Sequence, residues 1–240
     1  MRNSPVLVAV VLAAALAQPA ASLVIDNFEE GNIVGCADDV SPATGIGPTF
    51  CEQSGLSTAN VVGGVRLVRI IAQSTGAATG TAALVTTPVD DAVALTVAGA
   101  PDGGADYEFI YDGVANGAAD GRFGTLNADL SPFTSIDVSM TVVAPITATL
   151  QLALSSSSST QFSAQVPLVN GINSFLLSGF NTLNLANIEQ IRLLIAGIDI
   201  GEAPLMNYIQ TTPLAVPEPA SAALLALGLV GIAIRRRSSR

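Results

Sequence analysis

The chain lacks histidine, lysine and tryptophan, and aromatic residues make up only 5% of it. Without histidine, a Ser–His–Asp or Cys–His nucleophile system is excluded, and so is a zinc ion held by imidazole. Without lysine there is no Schiff base and no phosphate-binding lysine of the Walker type. Carboxylate pairs remain available for hydrolysis, but nothing in the sequence marks one pair. We therefore do not predict an enzyme.

Basic charge is also scarce. The formal net charge is −10, which argues against nucleic acid as a partner, because nucleic-acid binding needs a basic footprint. Between residues 23 and 213 the basic residues are Arg66, Arg69, Arg122 and Arg192, against eighteen Asp or Glu, so that region carries 4 − 18 = −14. Its length of about 190 residues suits a single domain with one core.

The N-terminus has the pattern of a secretory signal peptide. Arg2 precedes an apolar run over residues 6–16, and the small residues Ala20, Ala21 and Ser22 follow. The pattern predicts a signal helix in residues 1–22, with cleavage after about Ser22. The alternative is a retained membrane anchor, which the shortness of the run disfavours.

The C-terminus combines three features in a fixed order. A motif, an apolar run and an Arg cluster follow one another as Val216-Pro217-Glu218-Pro219-Ala220-Ser221, residues 222–234, and Arg235-Arg236-Arg237 within the tail 235–240. This order resembles the PEP-CTERM sorting signal of Gram-negative bacteria that make extracellular polysaccharide. The resemblance implies processing by an exosortase and an inner-membrane stage before release to the surface or medium.

Each part of this signal has a physical role. Pro217 and Pro219 fix the backbone in an extended form, which a processing enzyme binds at low entropic cost, and Glu218 offers a charge. The Arg cluster stays cytoplasmic, so the domain is periplasmic before processing. The apolar run 222–234 makes about 20 Å of helix, short of a bilayer core of about 30 Å. We expect a temporary transmembrane anchor; the alternative is a buried core helix.

The region between the two ends reads as β-strands. Ser135–Val142 and Ile146–Leu154 alternate apolar and polar residues, and shorter runs recur every 10–15 residues. Val93–Val97 and Tyr107–Tyr111 flank Pro101-Asp102-Gly103-Gly104, which predicts a hairpin. Only Leu183–Gln190 has room for a helical turn. We predict an all-β, antiparallel sandwich over residues 23–211, followed by the sorting signal in 212–240.

A second resemblance concerns this central domain. Ile25-Asp-Asn-Phe-Glu-Glu-Gly31 opens it, and Phe123–Leu130, Phe133–Ile136 and Ser178–Ile188 follow. Together they are similar to jelly-roll domains related to carbohydrate-binding modules. The resemblance implies a structural Ca²⁺ held by Glu29 or Glu30 and a late Asp, but the chain has Met206 about where that Asp is expected.

A loop rich in acids and glycine offers a second place for calcium. Its oxygen ligands would come from Asp102, Asp106, Asp112, Asn116 and Asp120. The spacing matches no regular calcium motif, and solvated loop chemistry is the alternative. We predict no other cofactor.

Cys36 and Cys51 are the only cysteines. In an exported protein they are expected to form one disulfide, which closes a loop of about 15 residues. A free reactive thiol or a metal site is the alternative.

For the domain itself two functions remain open. The first is a non-catalytic structural or adhesive module of the envelope or extracellular matrix. The alternative is a glycan-binding module associated with exopolysaccharide, which requires an aromatic sugar-contacting face. Tyr107 and Tyr111 share one strand face, which favours core packing over a sugar platform. The run Ser155–Ser159 predicts a hairpin loop.

Overall fold

The computed structural model describes residues 21–30, 37–40, 49–74, 80–87, 92–99, 103–115, 124–143, 146–157 and 159–215. The chain divides into two units, Ser22–Thr212 and the two terminal segments taken together. Of the second unit only residues 21 and 213–215 are described, so the fold below is that of Ser22–Thr212. Residues 1–20 of the predicted signal helix and all of the predicted transmembrane helix lie outside the described residues.

The described ranges contain fourteen strands and two 3-10 turns. The strands are β1 (Val24–Asp26), β2 (Ala37–Val40), β3 (Thr49–Ser54), β4 (Val65–Ser74), β5 (Gly80–Thr87), β6 (Ala92–Gly99), β7 (Gly103–Tyr111), β8 (Phe133–Thr141), β9 (Thr149–Ser156), β10 (Ser159–Phe162), β11 (Val166–Pro167), β12 (Gly171–Leu176), β13 (Gln190–Asp199) and β14 (Leu205–Pro213). The 3-10 turns are Val62–Gly64 and Leu177–Gly179.

The strands form two seven-stranded sheets. Sheet A has the order β12-β8-β14-β6-β5-β2, with β1 on β14, and sheet B has the order β10-β9-β13-β7-β4-β3, with β11 on β9. The recorded pairings between strands are antiparallel. The predicted all-β, two-sheet antiparallel sandwich is therefore confirmed.

Strict alternation of apolar residues builds the core between the sheets. On β8 the side chains of Ile136, Val138 and Met140 are buried, and on β9 those of Leu150 and Leu152 are. Successive side chains of a strand point to opposite faces, so each of these runs turns one face inward and the other outward. Burial of the inward faces is the main stabilising term for the sandwich.

The expected hairpin between β6 and β7 is wrong. The two strands are consecutive, but β6 belongs to sheet A and β7 to sheet B. The hydroxyl of Tyr107 on β7 donates to the backbone carbonyl of Thr96 on β6 at 2.6 Å, which joins the two sheets through the core.

Three local features refine the prediction from sequence. Residues 183–187 form bends and a turn rather than a helical turn, Ile188 bridges Ala128, and the 3-10 turn lies earlier, at Leu177–Gly179. The serine run is a tight β9–β10 hairpin in which the hydroxyls of Ser155 and Thr160 are 2.8 Å apart. Across the part of the chain that the structure describes, no helix is long and apolar enough to cross a membrane.

Candidate functional site

The sorting motif Val216–Ser221 and the arginines Arg235, Arg236 and Arg237 lie outside the described residues. The same holds for Cys36. Cys51 lies on β3, opposite Val68 of β4, and packs partly buried against the core. No cysteine of the described residues is a free thiol. The Cys36–Cys51 disulfide stays a prediction.

If the disulfide forms, its reduction is expected to lower the free energy of unfolding by about 3 kcal/mol, because a cross-link of this loop length restricts the unfolded chain. Denaturant unfolding with and without reductant, on the wild type and on Cys36→Ser/Cys51→Ser, measures the loss. The double variant should be insensitive to reductant. Two thiols that alkylate freely in the unreduced native protein would contradict the pairing.

The calcium candidates are spread over the domain. Glu29 is exposed, while the carboxylate of Asp106 on β7 accepts the backbone N–H of Gly197 at 2.9 Å. Asp112 follows β7, is buried, and accepts the N–H of Val114 at 3.0 Å. Burial raises the pKa of its carboxyl, the Val114 N–H lowers it, and the charge of Glu52 raises it again; the net shift is upward.

The structure does not bring Asp106 and Asp112 together. They are six positions apart on extended chain, which is about 20 Å. Within the described ranges, no group of three or more Cys, Asp or Glu side chains is placed to hold a metal ion. Asp102, Asn116 and Asp120 lie outside those ranges. A calcium site therefore stays a prediction from sequence.

A buried ionic cluster joins the first strand to sheet B. Asp26 on β1 and Arg66 on β4 are both fully buried. The guanidinium donates from Nε to Oδ2 and from Nη2 to Oδ1 of Asp26, each at 2.5 Å. The hydroxyl of Tyr111 on β7 also donates to Oδ2, at 2.8 Å, and the N–H of Phe28 donates to Oδ1, at 2.9 Å. Both carboxylate oxygens are thus fully engaged.

The third nitrogen of the guanidinium, Nη1, also has hydrogen-bond acceptors. Nη1 of Arg66 donates to Oε1 of Gln53 at 2.7 Å and to the carbonyl of Glu30 at 3.3 Å. The ring of Phe28 lies 4.9 Å from the guanidinium carbon, and Phe28 adopts a left-handed backbone with φ of 58°. A bulky residue rarely adopts this conformation, so the surrounding contacts must hold it there.

For both Asp26 and Arg66, burial and ion pairing shift the pKa in opposite directions. Burial raises the pKa of Asp26 and outweighs the lowering by Arg66. Burial lowers the pKa of Arg66, but its hydrogen bonds to Asp26 and the charge of that carboxylate raise it; the net shift is upward, so the guanidinium stays protonated. Burial and the charge of Asp26 hold the pKa of Tyr111 well above its usual value, which keeps its hydroxyl a donor. The buried ionic cluster therefore has a structural role, because it links the two sheets.

A second ionic group lies on the outer face of sheet B. Glu108 on β7 accepts from Nη1 of Arg69 on β4 at 3.1 Å and from Nε of Arg192 on β13 at 2.8 Å, with a further bond from Nη2 of Arg192. The glutamate side chain is 7% exposed, while the two arginines are 33% and 24% exposed. The buried carboxylate therefore fixes two guanidinium groups side by side at the surface.

Each guanidinium group has nitrogens beyond those bonded to Glu108. Among the described residues, the hydrogen bonds to Glu108 use Nη1 of Arg69 and Nε and Nη2 of Arg192. Nε of Arg69 is buried and has no partner among the described residues. A fixed, planar fork of donors suits oxygen acceptors such as hydroxyl or carboxylate groups.

Two exposed phenylalanines lie at the edges of the same face. Phe50 on β3 is opposite Arg69 in register, and its ring lies 6.0 Å from the guanidinium carbon. Phe162 on β10 is opposite Ala153 of β9, which is in turn opposite Arg192. Phe50 is 41% exposed and Phe162 57%. We name the set Phe50, Arg69, Glu108, Arg192 and Phe162 the sheet B outer face.

The tyrosines do not contribute to this face. Tyr107 and Tyr111 are completely buried between the sheets, which confirms that their shared strand face packs into the core. Tyr208 on β14 of sheet A is half-buried.

Comparison with known proteins identifies a sorting signal. Residues 215–237 match the PEP-CTERM protein-sorting motif, so the chain carries this signal at its C-terminus. No curated protein matches the sequence.

Similar solved structures are β-sandwiches. The family 11 carbohydrate-binding module of the cellulosomal cellulase Lic26A-Cel5E of Clostridium thermocellum is 12% identical, with a TM-score of 0.37 over 82% of this chain and 97% of that one. The solution structure of CtCBM11 is 14% identical, with a TM-score of 0.40 over 84% and 100%. With TM-scores below 0.5, these similarities support no further conclusion about this chain.

Proposed function

We propose that this protein is an exported, non-catalytic envelope or extracellular-matrix protein of a Gram-negative bacterium, processed by an exosortase. The single observation that carries the proposal is the PEP-CTERM match at 215–237. The acidic β-sandwich is the exported domain, and the motif with its apolar run and Arg cluster is the sorting signal. The inner membrane holds the chain until the motif is cut.

The ends of the sandwich are compatible with removal of both terminal segments. β1 begins at Val24, just after the predicted signal-peptide cleavage, and β14 ends at Pro213, before the motif. The backbone N–H of Thr211 donates to the carbonyl of Leu23 at 2.9 Å, so the two ends of the domain are hydrogen-bonded to each other. Cutting at about residue 22 and near 217–219 leaves every described strand intact.

Fractionation of the producing cells tests this proposal. We expect a full-length form in the inner membrane and a shorter form at the surface or in the medium. A single full-length form confined to the inner membrane would contradict it.

We propose glycan binding as a second function, and the sheet B outer face supports it. Aromatic rings stack on the apolar faces of sugars, and the guanidinium forks donate to sugar oxygens. Glu108 holds both arginines in position before a ligand arrives, which lowers the entropic cost of binding. The cluster lies between two exposed rings on one face, an arrangement that a purely structural surface does not require.

If this face binds glycans, Phe50→Ala and Phe162→Ala are each expected to weaken binding by about tenfold, because exposed aromatic anchors carry much of the energy of an interface. Arg192→Lys keeps the charge but loses the fork, and should also weaken binding. The probes are a glycan array and exopolysaccharide purified from the producing cells.

Val143→Ala provides the matched control, since Val143 is 93% exposed and lies outside the sheet B outer face. It should bind as the wild type does. All four variants should unfold at the same denaturant concentration within error, because the changed side chains are exposed or partly exposed. Equal binding by the wild type and both Phe variants would exclude this face as the glycan site.

A further inference from the structure

One long stretch of this acidic protein carries no charge at all. Residues 138–188 contain no Asp, Glu, Lys or Arg, although the net charge of the chain is −10. This charge-free segment supplies β9 to β12 and the 3-10 turn after them. β10 and β12 are edge strands of the two sheets, and they lie on the same side of the sandwich, since Nε2 of Gln161 donates to the carbonyl of Gly179 at 2.6 Å.

Exposed apolar side chains concentrate in the same segment. Most of the large hydrophobic residues that are exposed in the described ranges belong to it: Val143, Phe162, Val169, Ile172 and Leu176. Ile172 is 59% exposed and Leu176 64%. An apolar, uncharged side on an otherwise acidic domain is typical of an interaction surface.

β12 is the strand on this side that is open to pairing. Among the described strands it pairs only with β8, and its exposed residues Ile172, Ser174 and Leu176 alternate with the buried Asn173 and Phe175. Natural edge strands are usually protected by charges, proline or bulges, and β12 has none of these. β10 is only four residues long and β11 contains Pro167, so both are poorer templates.

We propose that β12 pairs with β12 of a second copy of this chain, antiparallel and edge to edge, to form a two-fold dimer with a continuous sheet A. Pairing Ser174 with Ser174 of the partner subunit places Ile172 opposite Leu176 of the partner subunit, twice. These pairs lie on one sheet face and bury each other's apolar surface. The strand is thus complementary to itself, as a two-fold interface requires.

Charge determines where two copies of this chain can approach each other. Two acidic domains repel each other wherever their charged surfaces meet. The edge formed by the charge-free segment is where two copies approach with least repulsion. Two-fold pairing occupies the β12 edge of both copies, so this interface closes at the dimer.

Sedimentation velocity of the processed, exported protein tests this proposal. The wild type is expected to show a monomer–dimer equilibrium that shifts to dimer with concentration and with added salt, because salt screens the acidic repulsion. Ile172→Lys and Leu176→Lys place like charges on the paired strands and should each weaken the dimer at least about tenfold. Amide hydrogen exchange at residues 171–176 should slow as the dimer forms.

Phe50→Lys is the matched control. It puts the same charge on an exposed apolar position of β3, the edge strand on the opposite side of sheet B, and should leave the dimer intact. The proposal is overturned if the wild type stays monomeric at every concentration. It is also overturned if Phe50→Lys dissociates the dimer as strongly as Ile172→Lys, or if both β12 variants leave it unchanged.

Discussion

Replacing Arg66 with methionine is expected to lower the free energy of unfolding by about 3–5 kcal/mol, because it leaves the carboxylate of Asp26 buried without its partner. Native domains are stable by only about 5–15 kcal/mol, so much of the protein should be unfolded or lost during export. Chemical denaturation of the processed protein measures the change. The loss arises from the uncompensated charge and is not a measure of the net stability that the pair provides.

Two further variants separate the buried charge from loss of packing. Arg69→Met removes a partly exposed arginine three positions along the same strand and should cost no more than about 1 kcal/mol. Asp26→Asn combined with Arg66→Met removes both charges, and should recover a large part of the loss. If Arg66→Met and Arg69→Met destabilise the domain equally, the buried ionic cluster does not stabilise the contact between the sheets as described.

Replacing Pro217, Glu218 and Pro219 together with alanine is expected to leave the protein inserted in the inner membrane and uncleaved. The apolar run and Arg235–Arg237 are unchanged, and each arginine costs about 2.5–3.5 kcal/mol to move to the centre of a bilayer, so anchoring persists. Only the extended, acidic motif that the exosortase recognises is lost. Immunoblots of membrane and medium fractions measure the ratio of full-length to processed protein.

The controls for this experiment come from the same chain. Pro213→Ala changes a proline outside the motif, at the end of β14, and should be processed as the wild type is. Deletion of residues 222–240 should release the protein to the periplasm without processing. Normal processing of the triple alanine variant would show that the exosortase does not recognise the motif.

The alternation of apolar and polar residues predicted most of the strands, because it indicates directly which side chains of a strand face the core. β8 and β9 follow from this rule, and so does the burial of Tyr107 and Tyr111. Alternation does not state which sheet a strand joins. The hairpin prediction for β6 and β7 failed for that reason, since both strands turn an apolar face to the same core from opposite sheets.

The ionic groups were harder to predict, although part of the signal is in the sequence. Arg66 and Arg69 are three residues apart on one strand, so their side chains must point to opposite faces, and one of them must enter the core. Its partner Asp26 is forty residues away, and it comes into reach because β1 pairs with β14 on one side and bridges Val61, just before β4, on the other. The sheet B outer face likewise depends on strand order, because Arg69, Glu108 and Arg192 come from three separate strands.

Mass spectrometry of the C-terminal peptide of the mature protein, recovered from the cell surface or medium, tests the sorting function most directly. Processing by an exosortase predicts a chain that ends near Pro217–Pro219 and lacks residues 222–240. The same spectra should show an N-terminus near residue 23. A mature protein whose last peptide still ends at Arg240 would contradict the account, and would make the C-terminal segment a permanent membrane anchor.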